Sequence, residues 1–147
     1  MVKPMPKIRV LLVDDHQLFR EGLANIIKPH PDFEIVGEAS DGLEAMIKAS
    51  QLLPDLILMD VTMPVCDGLE ATQRIKKELP DVTIIMLTVS DDNEKVFEAI
   101  RNGAQGYLLK SINSQEMLAS MRGAVRGEAA ITRTLGGRML TEFRRVS

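Results

Sequence analysis

The stretch IRVLLVDDH, residues 8–16, decides the fold of this chain. A nearly continuous apolar run of strand length leads directly into two acids, and apolar residues then recur at three- and four-residue steps. Such a run is typical of a strand buried on both faces of a parallel sheet, and the later spacing is typical of an amphipathic helix. The stretch therefore predicts a strand, two acids at its carboxyl end, and a helix.

The same strand-then-helix pattern is repeated along the chain as far as about residue 127. Further strands are predicted at 33–39, 56–59, 82–87 and 104–109. Parallel strands need crossover connections, which are usually helices, so the alternation predicts an α/β fold with a doubly wound five-stranded parallel sheet and five flanking helices. One domain is predicted over residues 7–127.

The segment 128–147 does not continue this pattern and is predicted to be a linker. Within it, Leu135, Met139 and Phe143 recur every four residues, which is the spacing of a short amphipathic helix. Basic residues outnumber acids in this part of the chain. The simplest interpretation of that excess is a solvated surface.

The composition limits the class of protein. The 147 residues carry a net charge of −3, and aromatic residues make up only 3% of them, which disfavours nucleic-acid binding by base stacking. The single cysteine, Cys66, excludes an intramolecular disulfide and fits a cytoplasmic protein. No apolar run reaches the length of about 18 residues that a membrane span needs, so no contact with a membrane is predicted.

Five polar residues follow the predicted strands at their carboxyl ends: Asp14, Asp15, Asp60, Thr88 and Lys110. In a parallel sheet these ends share one edge, where ligand crevices form. The carboxylates favour a hard cation such as Mg²⁺, and a carboxylate such as Asp60 can also act as a nucleophile. Lys110 would neutralise phosphoryl oxygens, and Thr88 would donate a hydrogen bond to one of them. Taken singly, each residue has a simpler interpretation as a helix cap, a turn residue or a surface lysine, but their joint placement favours a site.

Four stretches of the chain resemble the receiver domain of bacterial two-component response regulators, whose fold is flavodoxin-like or CheY-like. They are VLLVDDH at 10–16, DLILMDVTMPVCDG at 55–68, IIMLT at 84–88 and NGAQGYLLK at 102–110. The first and last of these regions are most similar to the NarL/FixJ (LuxR-type) subfamily. The resemblance covers about residues 7–127 and implies a signalling switch rather than an enzyme.

The resemblance implies how phosphorylation would occur. Asp60 would be the phosphoacceptor, and a sensor histidine kinase would supply the phosphoryl group in a Mg²⁺-dependent reaction, with Mn²⁺ as an alternative ion. The metal would be held by Asp14, Asp15, Asp60 and the backbone carbonyl of Thr62. The chain would then catalyse only its own phosphorylation and dephosphorylation.

The resemblance also implies how the event would be reported to the surface. Lys110 would pair with the phosphoryl oxygens, Thr88 would move onto the phosphoryl group, and Tyr107 would swing inward with it. Thr62 and Ser90 would tune the lifetime of the acyl phosphate. The changed surface would be formed by the fourth helix, the fifth strand and the fifth helix.

Partners follow from the same resemblance. Regulators of this type carry a C-terminal helix-turn-helix that binds DNA and controls transcription, and DNA contact is expected only through that domain, which the 147 residues do not include. A homodimer is expected, either through the fourth helix, fifth strand and fifth helix or through the first and fifth helices. No membrane contact is expected, and the protein is expected to be cytoplasmic.

Three positions near the predicted site need separate interpretation. Val89 follows Thr88, where the family commonly has Ala or Ser, so its bulk would restrict donor access or the switch. Ser111 follows Lys110, where many receivers have Pro, which leaves a cis peptide at that junction an open question. His16 is interpreted as an exposed residue of the first helical turn, with a metal ligand or an acid–base group as the alternative.

Two other functions stay open at this stage. The first is a Mg²⁺-dependent phosphatase with Asp60 as its nucleophile. Haloacid-dehalogenase-like phosphatases usually have Asp-x-Asp, and Thr62 stands here where the second acid would be, which argues against turnover. The second is an interaction module that works without phosphorylation, and the intact set of Asp60, Thr88 and Lys110 argues against it.

Overall fold

The computed structural model of the protein describes residues 6–90, 92–131, 136–137, 140–141 and 144. The residues on which the prediction of a helix in the linker rested, Leu135, Met139 and Phe143, lie outside this described part. None of the helices formed by the described residues combines the length and the apolar character needed to cross a membrane.

Strands and helices alternate along the described chain. The strands are β1 (Ile8–Val13), β2 (Phe33–Ala39), β3 (Leu56–Met59), β4 (Thr83–Thr88), β5 (Gly106–Leu109) and β6 (Ala130–Ile131). The helices are α1 (Gln17–Ile27), α2 (Gly42–Leu52), α3 (Gly68–Glu78), α4 (Asn93–Arg101) and α5 (Ser114–Val125). The strands form one sheet in the order β2-β1-β3-β4-β5-β6, and every neighbouring pair is parallel. The predicted doubly wound parallel sheet with five helices is therefore confirmed.

Two helix layers cover the two faces of the sheet. Side chains of β1 alternate between the faces, as the two-residue period of a strand requires: Leu11 packs in the cluster that includes α2, α3 and α4, and Leu12 in the cluster that includes α1 and α5. The central strands β1, β3 and β4 are thus covered on both sides. This is why their sequences are almost continuously apolar.

Side chains cap the first turn of four helices. Asp41, Asp67, Asp92 and Asn113 each accept a hydrogen bond from a backbone N–H of the helix that follows. Each cap satisfies one of the amides that a helix leaves without an internal partner. Helix α1 differs, because His16 at its N-cap makes no capping hydrogen bond with its side chain.

The short strand β6 is an addition to the five strands predicted from the sequence. It pairs with the start of β5, Gly106 opposite Ala130 and Tyr107 opposite Ile131. The approach is close: a Cβ atom at Gly106 would lie 2.4 Å from the carbonyl oxygen of Ala130. A strand of two residues has no measurable periodicity, so the pattern of the sequence could not indicate it.

Gly106→Ala is expected to detach β6 from the sheet and to lower the free energy of unfolding by about 1–3 kcal/mol, because the added methyl group overlaps the Ala130 backbone. Urea denaturation measures the loss of stability, and hydrogen exchange at the Ala130 amide measures the detachment. Gly22→Ala in α1 is the matched control, since a Cβ there meets no heavy atom within 4 Å. That control is expected to gain stability by about 1 kcal/mol. Unchanged stability and protection in Gly106→Ala would contradict the described contact.

Candidate functional site

The carboxyl edge of the sheet brings acidic and basic side chains from separate strands together. Asp14, Asp60 and Lys110 each follow directly on the last residue of β1, β3 and β5. Backbone hydrogen bonds hold two of them in line beyond the strands: Asp60 N–H donates to the Val13 carbonyl at 2.9 Å, and Lys110 N–H donates to the Thr88 carbonyl at 2.8 Å. The ladder of the sheet therefore fixes where the functional side chains begin.

Lys110 lies between two buried carboxylates. Its Nζ is 2.7 Å from Asp14 Oδ2 and 3.0 Å from Asp60 Oδ2, and the three side chains are only 11%, 3% and 5% exposed. The Phe19 ring covers the ammonium, with its centroid 4.4 Å from Nζ. Two carboxylates against one ammonium leave the cluster one negative charge in excess. The site therefore favours binding a cation.

Two opposing effects act on the pKa of Lys110. Burial acts to lower it, but the hydrogen bonds and charges of Asp14 and Asp60 outweigh burial, so the pKa is raised from its ordinary value. The ammonium is therefore charged throughout the neutral range. Its role in the site is that of a fixed positive charge rather than a proton donor or acceptor.

One oxygen of Asp60 has no protein partner. Asp60 Oδ2 binds Lys110, whereas Oδ1 is buried and makes no hydrogen bond. Buried polar atoms are almost always hydrogen-bonded, so an unpaired carboxylate oxygen points to a bound species that would complete it. Both oxygens of Asp14, by contrast, have partners: Oδ1 accepts the backbone N–H of His16 at 2.8 Å, and Oδ2 lies against Lys110.

The donor atoms at this edge fit a divalent cation. One ligand atom from each of Asp14, Asp15, His16 and Asp60 lies within 4.8 Å of the others. Asp15 and His16 form the open side of the cluster, with side chains 32% and 68% exposed. Carboxylate oxygens together with solvent are the ligands that Mg²⁺ prefers, so Asp14, Asp15 and Asp60 could hold it. Thr62, two residues beyond Asp60, is exposed on the same loop.

A close backbone contact, which sequence reasoning missed, holds the loop after β3 against the site. Gly68 N–H donates to the Val61 carbonyl at 2.8 Å, and a Cβ atom at Gly68 would lie 2.0 Å from the Asp60 carbonyl oxygen. Only glycine permits that approach. The signal in the sequence that could have indicated this contact is the position of the glycine directly after Asp67, which caps α3.

The residues predicted to form the switch lie on the next two strands. Thr88 is fully buried, and its Oγ1 accepts the Ser90 N–H at 3.4 Å. Tyr107 is also fully buried, and its hydroxyl donates to the Ser90 carbonyl at 2.6 Å. Both side chains thus contact one short loop between β4 and α4. Val89 in that loop is 80% exposed, so its bulk lies at the surface.

The peptide after Lys110 is trans. No cis peptide bond occurs in the described part of the chain, which includes the junction between Lys110 and Ser111. A non-proline residue at this position is consistent with that finding, because a cis bond there would cost about 2.5–4 kcal/mol. The sequence alone left this question open.

One protein family and several curated proteins match most of this chain. Residues 10–122 match the family described as response regulator receiver domain. The chain is 45% identical over 136 residues to the uncharacterized transcriptional regulatory protein YxjL of Bacillus subtilis, covering 92% of this chain and 62% of that protein. It is 45% identical over 137 residues to the transcriptional regulatory protein LiaR of the same organism, covering 93% and 65%. The chain thus spans less than two thirds of the length of these relatives.

Solved structures are similar over most of the chain. A two-component response regulator of the LuxR family from Aurantimonas sp. SI85-9A1 matches with a TM-score of 0.88 and 30% identity, covering 96% of this chain and 99% of that one. The response regulator domain of Thermotoga maritima CheB matches with a TM-score of 0.78 and 38% identity, covering 83% and 98%. The strand order and helix layers described above are therefore those of a known fold.

Proposed function

This chain belongs to the family of response regulator receiver domains, and on that premise we propose that Asp60 is its phosphoacceptor. It is the receiver domain of a two-component response regulator of the NarL/LuxR type, a signalling protein. The observation that best supports Asp60 is its unpaired buried oxygen beside an oxygen held by Lys110. Asp14 is equally buried but is the weaker nucleophile, because both of its oxygens have partners.

In the proposed reaction an oxygen of Asp60 attacks the phosphorus of the donor. The new phosphorus–oxygen bond forms as the bond from phosphorus to the leaving group breaks. Lys110, 3.0 Å from Asp60 Oδ2, then balances part of the charge on the phosphoryl oxygens. The residues proposed to hold Mg²⁺, or Mn²⁺ as the alternative, are Asp14, Asp15, Asp60 and the backbone carbonyl of Thr62, and the bound ion supplies further charge neutralisation.

The proposed switch starts from Thr88. Its Oγ1 accepts only a long hydrogen bond of 3.4 Å from Ser90, so the hydroxyl can turn to donate to a phosphoryl oxygen at little cost. Ser90 is also the partner of Tyr107, so a shift of this loop loosens the bond to the tyrosine hydroxyl. The surface of α4, β5 and α5 would then change. We propose that Thr62 and Ser90, beside Asp60 and Thr88, tune the lifetime of the acyl phosphate.

Tyr107→Phe is expected to lower the free energy of unfolding by about 1–2 kcal/mol, because the partly buried Ser90 carbonyl loses the hydroxyl that donates to it. Hydrogen exchange in the loop between β4 and α4 is expected to become faster in the unphosphorylated protein. Urea denaturation and exchange measured by mass spectrometry test these effects. Ser90→Ala keeps the carbonyl and loses only the long hydrogen bond of 3.5 Å that Ser90 Oγ accepts from the Asp92 N–H, so it is the control, with a change within about 0.5 kcal/mol. If Tyr107→Phe is as stable as the wild type, this hydrogen bond does not stabilise the loop.

The partners proposed for the full-length protein rest on its relatives. Receiver domains are phosphorylated by sensor histidine kinases, so we propose such a kinase as the phosphoryl donor. The relatives are transcriptional regulators that are longer than this chain, so we propose an output domain that binds DNA, joined to the receiver domain (7–127) by the linker 128–147, of which Ala130–Ile131 pair with β5 as β6. The proposed dimer surfaces are α4, β5 and α5 together, or α1 and α5.

The experiment that tests this function uses the chain as it stands. Acetyl phosphate with Mg²⁺ is expected to add the mass of one phosphoryl group, and a chelator is expected to prevent the addition. Intact-mass spectrometry measures both results. No mass gain with Mg²⁺, or an equal gain without it, would count against the proposal. Sustained release of phosphate from a small phosphate ester would instead favour the phosphatase considered above.

A further inference from the structure

His16 is a nitrogen donor placed among the carboxylates of the site. Its Nδ1 lies 3.1 Å from Asp14 Oδ1 and 3.2 Å from Asp15 Oδ1. A ligand atom of His16 also belongs to the group that lies within 4.8 Å of a carboxylate oxygen of Asp60. Both distances are those of hydrogen bonds between the imidazole and the carboxylates, and the metal site described so far uses only oxygen donors, so it gives the imidazole no role of its own.

The position of the imidazole is not explained by helix capping. His16 is the N-cap residue of α1, yet its side chain makes no capping hydrogen bond. The capping residues of the other four helices all accept one from the helix that follows. The ring of His16 instead lies against the carboxylates of Asp14 and Asp15.

Asp60 provides a second and independent sign of a missing ligand. Its side chain is 5% exposed, and its Oδ1 atom has no hydrogen-bond partner. One carboxylate oxygen of Asp60 lies within 4.8 Å of a donor atom of Asp15 and of His16, so a cation held by this group could also bind Asp60. The cluster therefore combines the partly exposed donors of Asp15 and His16 with a buried carboxylate that has one unpaired oxygen.

The spacing of the donors suits one ion. Neighbouring ligands of an octahedral ion with bonds of 2.0–2.2 Å lie about 3 Å apart, which is the distance between His16 Nδ1 and the two aspartate oxygens. Imidazole is a better ligand for first-row transition ions than for Mg²⁺, which prefers oxygen. We propose that His16 is a specificity-determining metal ligand that makes the site select Mn²⁺ and later first-row divalent ions over Mg²⁺. This inference rests on the metal site of the proposed function.

The experiment measures metal binding directly, without phosphorylation. Mn²⁺ binding to the chain is followed by electron paramagnetic resonance, and Mg²⁺ binding by its competition with Mn²⁺. Spin-echo modulation of bound Mn²⁺ reports a ¹⁴N coupling when an imidazole is a ligand. The measurements are made at about pH 8, where an ordinary imidazole is neutral.

His16→Ala is the test variant, and His30→Ala is the matched control because these are the two histidines of the chain. His30 lies on the turn before β2, with its Nδ1 3.3 Å from an Arg122 guanidinium nitrogen. The wild type is expected to show the nitrogen coupling, and His16→Ala to lose it. In His16→Ala the affinity for Mn²⁺ is expected to fall about tenfold, and the affinity for Mg²⁺ to fall less than about twofold. In His30→Ala neither affinity is expected to change.

The possible failures are distinguishable. No nitrogen coupling in the wild type, or equal losses of Mn²⁺ and Mg²⁺ affinity in His16→Ala, would overturn the role of His16 while leaving the oxygen site intact. Asp15→Asn tests the metal site itself, since it removes a proposed oxygen ligand. If the wild type binds neither ion, or Asp15→Asn binds both as the wild type does, the metal site of the proposed function fails, and the inference fails with it.

Discussion

Asp60→Asn is expected to reduce phosphorylation by acetyl phosphate and Mg²⁺ below detection. The amide has nearly the shape of the carboxylate, but it lacks the negative charge and the nucleophilic oxygen that the reaction needs. The fold should survive, because the change removes one of two buried carboxylates that face each other across Lys110. Intact-mass spectrometry over a time course measures the effect.

Asp81→Asn is the matched control for this change. Asp81 is exposed just before β4, at the opposite edge of the sheet from Asp60. That variant should accept a phosphoryl group at the wild-type rate. A full mass gain in Asp60→Asn would sink the assignment of the phosphoacceptor, and peptide mapping would then identify the residue that carries the group.

Lys110→Met is expected to destabilise the metal-free protein by about 3–5 kcal/mol, because it leaves Asp14 and Asp60 buried without a countercharge. Mg²⁺ should restore a large part of this loss, since a divalent cation replaces the missing positive charge. Urea denaturation with a chelator and with saturating Mg²⁺ measures both values. The stabilisation by Mg²⁺ should therefore be greater in the variant than in the wild type.

Lys77→Met on the exposed face of α3 is the control for loss of a lysine charge, with an expected change within about 0.5 kcal/mol. If Lys110→Met is as stable as the wild type without metal, the ion pairs of Lys110 do not stabilise the fold.

The pH dependence of the stability that Lys110 contributes follows from its raised pKa. Its contribution to stability is fully present below the ordinary value of 10.5 and is lost as the pH rises through the folded pKa.

The central strands could be predicted closely because they are buried on both faces. Strands β1 and β3 begin and end at the predicted residues, Ile8–Val13 and Leu56–Met59. Strand β4 is displaced by one residue, because Thr88, although polar, still pairs with Leu109. The prediction was least accurate for the start of β5, which begins at Gly106 rather than at residue 104. Apolar runs indicate burial, whereas strand ends depend on the neighbouring strand.

Contacts between distant parts of the backbone could not be predicted. The approach of Gly68 to the Asp60 carbonyl, and that of Gly106 to β6, depend on where loops return in space. A single glycine in a sequence is compatible with many conformations. The same limit applies to His16: its place beside two acids was visible in the sequence, but the direction of its ring was not.

The sequence by itself determined the order of strands and helices and the edge at which the acids, the threonine and the lysine would meet. It could do so because the apolar period reflects burial and because parallel strands end on the same side. Only the tertiary structure decided which carboxylate oxygens bind Lys110, which oxygen of Asp60 has no partner, and that Tyr107 is buried against Ser90. Those features depend on contacts of 2.6–3.0 Å between side chains and backbone groups of separate elements, which no local pattern encodes.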